Sequence, residues 1–338
     1  MMAITGLTGF ADFGLINQGL VYNRKTAIKP KRLQKGSTIG LISPASPVSD
    51  EAYEKTLKNI EMLGFRYKTG DNILKKYGYL AGDDKGRIDD IHNMFADPEV
   101  DAVWCIRGGY GTTRILDKLD FSLIRNNPKV FIGYSDITAL HLAIYKKTGL
   151  VTFHGPVASS EFTDFTLKCF QDLLFQNETV YDNFNYSMET DPEIYRPEII
   201  APGSMEGRLT GGNLSLLASL AGTRYQLKSE GNIVFIEDID EKPYRVDRMI
   251  TQLIDTSDLT KAKGILLGIF EGCESKPDEK NTLRLMETLR DRLGDLGIPV
   301  FYGFSFGHIK NNCIIPVGIN ARFDPNKQQL ILMEKALS

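Results

Sequence analysis

The chain has 338 residues, of which 42% are hydrophobic and 25% charged, and its formal net charge at neutral pH is −3. This length predicts two domains, and the small net charge argues against the clustered basic surface that binding to nucleic acid or an anionic membrane requires. No apolar run approaches the roughly 20 residues of a membrane-spanning helix. We therefore expect neither nucleic acid nor a membrane as a partner.

The four cysteines lie far apart, at Cys105, Cys169, Cys273 and Cys313. They form no CxxC and no Cys/His pair at ligand spacing, so we predict no metal site, no disulfide framework and a reducing compartment. The first 23 residues are short of charge and lack the basic start and long apolar core of a secretory signal. We predict a poorly specified N-terminal arm, with a truncated leader and a periplasmic location as the alternative.

From residue 37 the sequence alternates strand and helix patterns. Strands are predicted at STIGLIS, DAVWCIR, KVFIG and VTFHG, and helices at DEAYEKTLKNIEMLG (capped by Asp50), KGRIDDIHNMFAD, TTRILDKL and the stretch after Ser135. This alternation predicts a parallel sheet covered by helices on both faces. Functional groups of such sheets gather at the carboxyl ends of the strands, which here are the loops SPASP, RGGYG and GYSD.

A second block begins near Met205, after an irregular and proline-broken segment. Strands are predicted at EGRLTGG, NIVFIED, KGILLGIF, IPVFYG, NCIIPVG and QLILME, and helices at NLSLLASLAG, YRVDRMITQLIDT and LRLMETLRDRLGDLG. We therefore predict an arm over residues 1–34, a first α/β domain over 35–165, a connecting segment or lid over 166–204, and a strand-rich α/β domain over 205–338.

Ser135 stands where the strand KVFIG gives way to a helical pattern. A serine there can cap the helix, which stabilises it by about 1 kcal/mol. It can also be a nucleophile on a strand-turn-helix bend, where the backbone N–H of Asp136 would face an oxyanion. The capping box is absent because Thr138 replaces the required Glu or Gln, and the GxSxG elbow is absent because Ile137 replaces its last glycine. The local sequence alone favours the cap.

A nucleophilic serine needs a base and a carboxylate. His92 and His141 are predicted to be ordinary surface or core histidines. His154 follows a strand and can line the same sheet edge, but a structural role is favoured. His308 differs because it lies in the glycine-punctuated loop YGFSFGHIKNN, where a side chain can be held at a cleft. Glu237 ends the strand NIVFIE and is placed to project into a cleft. The acidic residues after it are predicted to form a solvated turn: Asp238, Asp240 and Glu241.

Two glycine turns precede helical patterns. RGGYG can be a tight turn, a phosphate cradle, or an oxyanion hole in which a backbone N–H of Gly108 or Gly109 approaches a carbonyl oxygen. It matches neither GxGxxG nor GxxxxGK[ST], so the nucleotide signal is weak. Asn213, in LTGGNLS, can cap the following helix, which the sequence favours, or contact substrate.

Together these fragments resemble the LD-carboxypeptidase family of serine peptidases, which also contains the microcin C self-immunity peptidases. The resemblance runs from about Lys35 to the C-terminus, through KGSTIGLISPASP, RGGYGTTRILDKLDF, PKVFIGYSDITALH, EGRLTGGNLSLLASLAGT, IVFIEDIDEKPYRVDRMITQL and IPVFYGFSFGH. Each fragment by itself is a weak indication of the family, but the occurrence of all of them in this order makes the identification specific.

The resemblance implies a flavodoxin-like N-terminal domain and a swivelling, strand-rich C-terminal domain, in a cytoplasmic homodimer that works without metal or cofactor. It implies a catalytic triad of Ser135, His308 and Glu237. The oxyanion hole would combine the backbone N–H of Asp136 with one from RGGYG. The implied reaction removes the terminal D-alanine from murein tetrapeptides during cell-wall recycling.

Substrate specificity is less determined by the sequence. A carboxypeptidase must bind a free carboxylate, for which Arg107 and the helix start at Asn213 are candidates. The sequence does not decide whether the third peptide residue is Lys or diaminopimelate.

Two other functions stay open as alternatives. A microcin-immunity-type peptidase would use the same triad on a peptidyl-nucleotide amide. The family pattern ties that activity to tryptophans in the inter-domain loop, whereas the single tryptophan here is Trp104, in a predicted strand. Tyr186 and Tyr195 are the residues that could stack instead. A non-catalytic, nucleotide-binding α/β protein is the second alternative.

Overall fold

The computed structural model describes residues 27–182, 194–276 and 278–338, and two β-sheets organise them. No helix within these ranges is both long enough and apolar enough to cross a membrane.

The first sheet is built from the N-terminal half of the chain. Its strands are β1 (Thr38–Ile42), β2 (Arg66–Thr69), β3 (Ala102–Cys105), β4 (Val130–Gly133) and β5 (Thr152–His154). They run parallel in the spatial order β2-β1-β3-β4-β5, which is the flavodoxin-like, doubly wound order. β1, β3, β4 and β5 are buried throughout, as expected of parallel strands covered on both faces. The predicted fold of this part is confirmed.

The helices of this half are α1 (Asp50–Met62), α2 (Asp84–Ala96), α3 (Phe121–Asn126), α4 (Thr138–Thr148) and α5 (Asp164–Gln171). The N-cap of α1 is Ser49, whose hydroxyl accepts the N–H of Ala52, so the predicted cap at Asp50 was one residue late. The predicted helix TTRILDKL is instead two 3-10 turns, Thr112–Arg114 and Leu116–Lys118. Thr112 at the start of this segment is bound to the turn that carries Ser135, as described below. We infer that these contacts favour the short 3-10 turns over the continuous helix that the local pattern predicts.

The second sheet has eight strands. They are β6 (Val180–Asp182), β7 (Glu198–Ala201), β8 (Met205–Asn213), β9 (Asn232–Ile239), β10 (Gly264–Glu271), β11 (Val300–Tyr302), β13 (Asn320–Asp324) and β14 (Gln329–Leu332), in the order β6-β14-β13-β8-β9-β10-β11-β7. The strands β8 to β11 are parallel and the outer ones antiparallel. The helices of this part are α6 (Leu214–Ser219), α7 (Pro243–Thr256) and α8 (Leu285–Leu293). The predicted two-domain α/β architecture with a strand-rich C-terminal part is thus confirmed.

One strand connects the two halves. β12 (Ile315–Val317), predicted as part of the second domain, pairs antiparallel with β5 and extends the first sheet. It covers what would otherwise be an open edge of that sheet. In return, β6 and β7 of the predicted connecting segment join the second sheet.

Candidate active site

Ser135 occupies a sharp turn between β4 and α4. Its φ is +64°, a left-handed conformation that few non-glycine residues adopt. A single 3-10 turn, Ser135–Ile137, leads from here into α4, and neither this turn nor α4 has a side-chain cap. The capping role favoured by the local sequence is therefore wrong. The geometry is that of a strained strand-turn-helix bend, which exposes the hydroxyl at the carboxyl end of the sheet.

The bend is held by its neighbour Asp136, which is almost fully buried. Its carboxylate accepts the N–H of Thr112 at 2.8 Å, and its carbonyl accepts the Thr112 hydroxyl at 2.6 Å. Burial raises the pKa of Asp136, and the hydrogen bonds from Thr112 and Gly111 oppose that shift. These bonds fix the serine turn to the glycine turn RGGYG.

Gly108 lies directly beside the serine. A Cβ on Gly108 would stand 2.9 Å from Ser135 Cβ and 3.2 Å from its Oγ, whereas a Cβ on Gly109 would meet Ser46 instead. Ser46 fixes the turn, because its N–H donates to the Gly108 carbonyl and its hydroxyl accepts the N–H of Tyr110. Within the described residues, the backbone N–H groups of Gly108, Gly109 and Asp136 have no acceptor. They are available to an oxyanion.

Glu237 and His308 meet in the second domain. His308 Nδ1 lies 2.7 Å from Glu237 Oε2, and the glutamate is completely buried while the histidine side chain is 13% exposed. Glu237 lies near the carboxyl end of β9, and Gly307 packs closely on it, because a Cβ there would come within 3.2 Å. Burial lowers the pKa of His308, but the charge and hydrogen bond of Glu237 outweigh it, and the net pKa is raised.

His308 also packs against the serine turn. Its ring centroid lies 4.7 Å from that of Tyr134, the residue before Ser135. Among the described residues, no hydrogen bond joins Ser135 to His308. Such bonds are often long or poorly aligned before substrate binds. The structure thus brings His308 and Glu237 into contact and sets His308 beside the serine turn.

The two domains touch immediately behind the site. The Thr138 hydroxyl accepts the backbone N–H of Asn213 at 3.0 Å, and Gly212 allows this approach, since a Cβ there would lie 2.5 Å from Thr138. Asn213 caps α6 through the N–H of Leu216, as the sequence favoured. Its own amide donates to Asp238. Asn213 is 3% exposed, and a direct contact with substrate stays a prediction.

Asp238 was predicted to be solvated, and this is wrong. It is 2% exposed and also accepts the N–H and hydroxyl of Ser215. Burial, together with the neighbouring charge of Glu237, raises the pKa of Asp238 to about 6. Its role is to join α6 to β9 beneath the site.

The other predicted site residues lie as follows. Arg107 is exposed on the RGGYG turn and donates to the Pro47 carbonyl. Trp104 is fully buried, with its indole N–H on the Pro156 carbonyl. Tyr195 donates to Glu271, and Tyr186 lies outside the described residues.

Sequence reasoning missed two residues that hold the site together, Thr112 and Thr138. His154 was predicted to be structural, with a place along the same sheet edge as the alternative; it is buried, and its Nε2 lies 3.9 Å from Glu237 Oε1. The signal for that placement is its position at the end of a strand, because parallel strands end at the same edge of a sheet. In the described ranges, no group of three or more His, Cys, Asp or Glu side chains could hold a metal ion.

Comparisons with known proteins agree along most of the chain. The LD-carboxypeptidase N-terminal domain matches residues 39–155 and the LD-carboxypeptidase C-terminal domain matches residues 206–323. A Bacillus subtilis (strain 168) protein named "Probable murein peptide carboxypeptidase" is 43% identical over 309 residues, which cover 90% of this chain and 94% of the relative.

Solved structures give the same result. The muramoyltetrapeptide carboxypeptidase from Oxalobacter formigenes superposes with a TM-score of 0.77 at 32% identity, covering 88% of this chain and 99% of that one. An MccF-like protein from Bacillus anthracis str. Ames superposes with a TM-score of 0.78 at 30% identity, covering 91% and 100%. The chain belongs to the LD-carboxypeptidase family.

Proposed function

We propose that this protein is a serine-type LD-carboxypeptidase that releases the C-terminal D-alanine from murein tetrapeptides. The observation that carries the proposal is the 2.7 Å contact of His308 with Glu237, set against the turn that bears Ser135. The names of its relatives, a murein peptide carboxypeptidase and a muramoyltetrapeptide carboxypeptidase, support the substrate class.

The proposed mechanism assigns one role to each residue. His308 accepts the Ser135 proton on Nε2, because its Nδ1 is engaged by Glu237. Ser135 Oγ attacks the carbonyl carbon of the residue before D-alanine, and Glu237 stabilises the imidazolium that forms. His308 then protonates the leaving amine, which frees D-alanine. Water, activated by the same histidine, hydrolyses the acyl-enzyme and restores Ser135.

The oxyanion of each tetrahedral intermediate would be bound by backbone N–H groups. Asp136 supplies one and the RGGYG turn the other. Gly108 lies closer to Ser135, and the side of Gly109 that a Cβ would occupy is turned to Ser46. Preorganised donors of this kind contribute roughly 3–4 kcal/mol each to transition-state stabilisation.

Recognition of the terminal carboxylate is assigned to Arg107. It is exposed on the same turn as the proposed oxyanion donors, and a guanidinium is well suited to binding a carboxylate. Asn213 is assigned an indirect part in this recognition, because it is buried and fixes the start of α6.

We also propose that the protein works as a homodimer in the cytoplasm, a proposal that rests on family resemblance. All four cysteines are unpaired, which fits a reducing compartment. Sedimentation equilibrium tests the dimer.

The division into domains over 35–165 and 205–338 likewise stays a prediction.

The function is tested by incubating the purified protein with muropeptide tetrapeptides that carry L-Lys or meso-diaminopimelate as the third residue, and measuring free D-alanine by mass spectrometry. Matched tetrapeptides that end in L-alanine, or in D-alanine amide, serve as controls. We expect release from at least one D-alanine tetrapeptide and little from the controls. No release from folded protein would contradict the proposed function.

A further inference from the structure

A second histidine faces the catalytic carboxylate. His154 Nε2 lies 3.9 Å from Glu237 Oε1, the carboxylate oxygen that His308 does not use, and both side chains are completely buried. Among the described residues, neither ring nitrogen of His154 nor Glu237 Oε1 has a hydrogen-bond partner. Buried polar groups are normally paired, because an unpaired one costs roughly 1–3 kcal/mol.

The position of His154 follows from the first sheet. It is the last residue of β5 and pairs with Gly133, the last residue of β4, two positions before Ser135. The strand that neighbours the nucleophile therefore carries an imidazole across the domain boundary to the glutamate of the second domain.

The surroundings of His154 are aromatic. Its ring centroid lies 5.3 Å from that of Phe235, 6.2 Å from Tyr134 and 6.4 Å from Phe306. In so apolar an environment, the attraction between a carboxylate and an N–H dipole is much stronger than in water. At 3.9 Å the contact is a charge–dipole attraction rather than a hydrogen bond.

We propose that His154 is a positioning residue for the peptidase reaction, a neutral imidazole whose Nε2–H attracts Glu237 Oε1 and so keeps Glu237 Oε2 on His308. This inference rests on the triad proposed above. It explains why the glutamate can stay fully buried with only one of its oxygens hydrogen-bonded.

The protonation state fits this role. Burial lowers the pKa of His154 well below its ordinary value, and the neighbouring histidines His141 and His308 lower it further. The titratable groups that face it are these two, Tyr134 and Glu237. A charged His154 would compete with His308 for the single negative charge of the glutamate, so neutrality is a condition of the proposed role.

Three variants separate positioning from packing. His154→Phe keeps a ring but removes the N–H, while His154→Gln places an amide N–H where Nε2 stood. His141→Phe is the matched control, because this second buried histidine binds the Gly133 carbonyl, and the ion pairs found between histidines and Glu237 among the described residues involve His154 and His308 instead. Rates of D-alanine release are expressed per folded protein, whose concentration is measured by far-UV circular dichroism, so that loss of folded protein does not enter kcat.

We expect His154→Phe to lower kcat by roughly 10- to 100-fold, the size of effect known for residues that orient the ligands of metal sites, with little change in KM. His154→Gln should recover most of the loss. Combination with Glu237→Gln gives the decisive readout, since the effect of His154→Phe should largely vanish in that background. The effect of His141→Phe should be equal in both backgrounds.

An unchanged kcat in His154→Phe, or an equal loss with and without Glu237→Gln, would overturn the positioning role. If His154→Phe does not fold, His154→Asn replaces it, since its amide lies at the Nδ1 position and cannot reach the glutamate in the same way. Ser135→Ala separates the two proposals. If it still releases D-alanine, the serine mechanism itself fails. If Ser135→Ala is inactive but the effects of His154→Phe and Glu237→Gln simply add, only the role of His154 fails.

Discussion

Ser135 adopts a left-handed backbone conformation, with φ at +64°. Such a conformation costs a non-glycine residue about 1–2 kcal/mol. The turn persists because Asp136 and Thr112 bind each other across it, and strain of this kind is typical of functional sites.

This strain predicts a difference between two inactive variants. Ser135→Gly and Ser135→Ala both remove the hydroxyl, but glycine tolerates positive φ and alanine does not. We expect Ser135→Gly to unfold at higher urea concentration, with a free energy of unfolding about 1 kcal/mol above that of Ser135→Ala. Equal stability of the two would show that the turn is not strained in solution.

The pH dependence of activity follows from the pair of His308 and Glu237. In the proposed mechanism His308 acts as a base only when neutral, so kcat/KM should fall as the pH drops through its pKa. Burial lowers that pKa and Glu237 raises it by more, so the acid limb should lie above the ordinary histidine value of 6.5.

Glu237→Gln removes the raising charge and leaves the lowering effect of burial. The acid limb should therefore move to lower pH, while the maximal rate falls by roughly 10⁴-fold, as in other triads that lose their carboxylate. pH profiles of kcat/KM for both proteins check this. An acid limb that stays in place would contradict the proposed coupling.

At the scale of single residues, the sequence predicted a nucleophile that no local pattern would have indicated. The hexapeptide around Ser135 favoured a cap, and only the order of distant motifs pointed to a nucleophile. Asp238 was misjudged because the groups that bury it, at Asn213 and Ser215, belong to another element of the chain. Which residue lies behind Glu237 depends on how the two sheets meet, and no local pattern encodes that.

At the level of elements, α4 of the first domain docks on β8 of the second. The contact is the Thr138 hydroxyl on the Asn213 N–H, made possible by Gly212. The sequence predicted both elements, but not that Gly212 allows their close packing.

Thr138→Val tests this contact. Valine keeps the shape but leaves the buried N–H of Asn213 without an acceptor, so we expect a loss of about 1–3 kcal/mol in the free energy of unfolding. The matched control is Thr256→Val, on the exposed side of α7, which should change stability by less than about 0.5 kcal/mol. The measurement is urea unfolding. Equal effects of the two substitutions would mean that the interdomain hydrogen bond contributes nothing.

Across the whole molecule, the two halves are interlocked by their connections. β12 belongs to the first sheet although it follows His308 in the chain, and Thr166 binds the backbone of both Lys310 and Asn312. The sequence predicted two α/β domains and their order. It did not predict the exchange of strands, because short apolar runs such as NCIIPVG fit either sheet equally well.

This exchange predicts cooperative unfolding. Trp104 is the single tryptophan and lies in the core of the first sheet, so its fluorescence reports that domain, whereas far-UV circular dichroism reports both. We expect the two signals to give coincident urea transitions, the standard mark of a two-state process. A fluorescence transition separated from that of circular dichroism would show that the domains unfold independently.

The central claim is that Ser135 is the nucleophile of a peptidase whose active site both domains supply. The most direct test is the rate of D-alanine release from a murein tetrapeptide by the native protein and by Ser135→Ala, at equal concentrations of folded protein. We predict a loss of at least roughly 10⁴-fold, as for other triads without their serine. Undiminished release by Ser135→Ala would contradict the account.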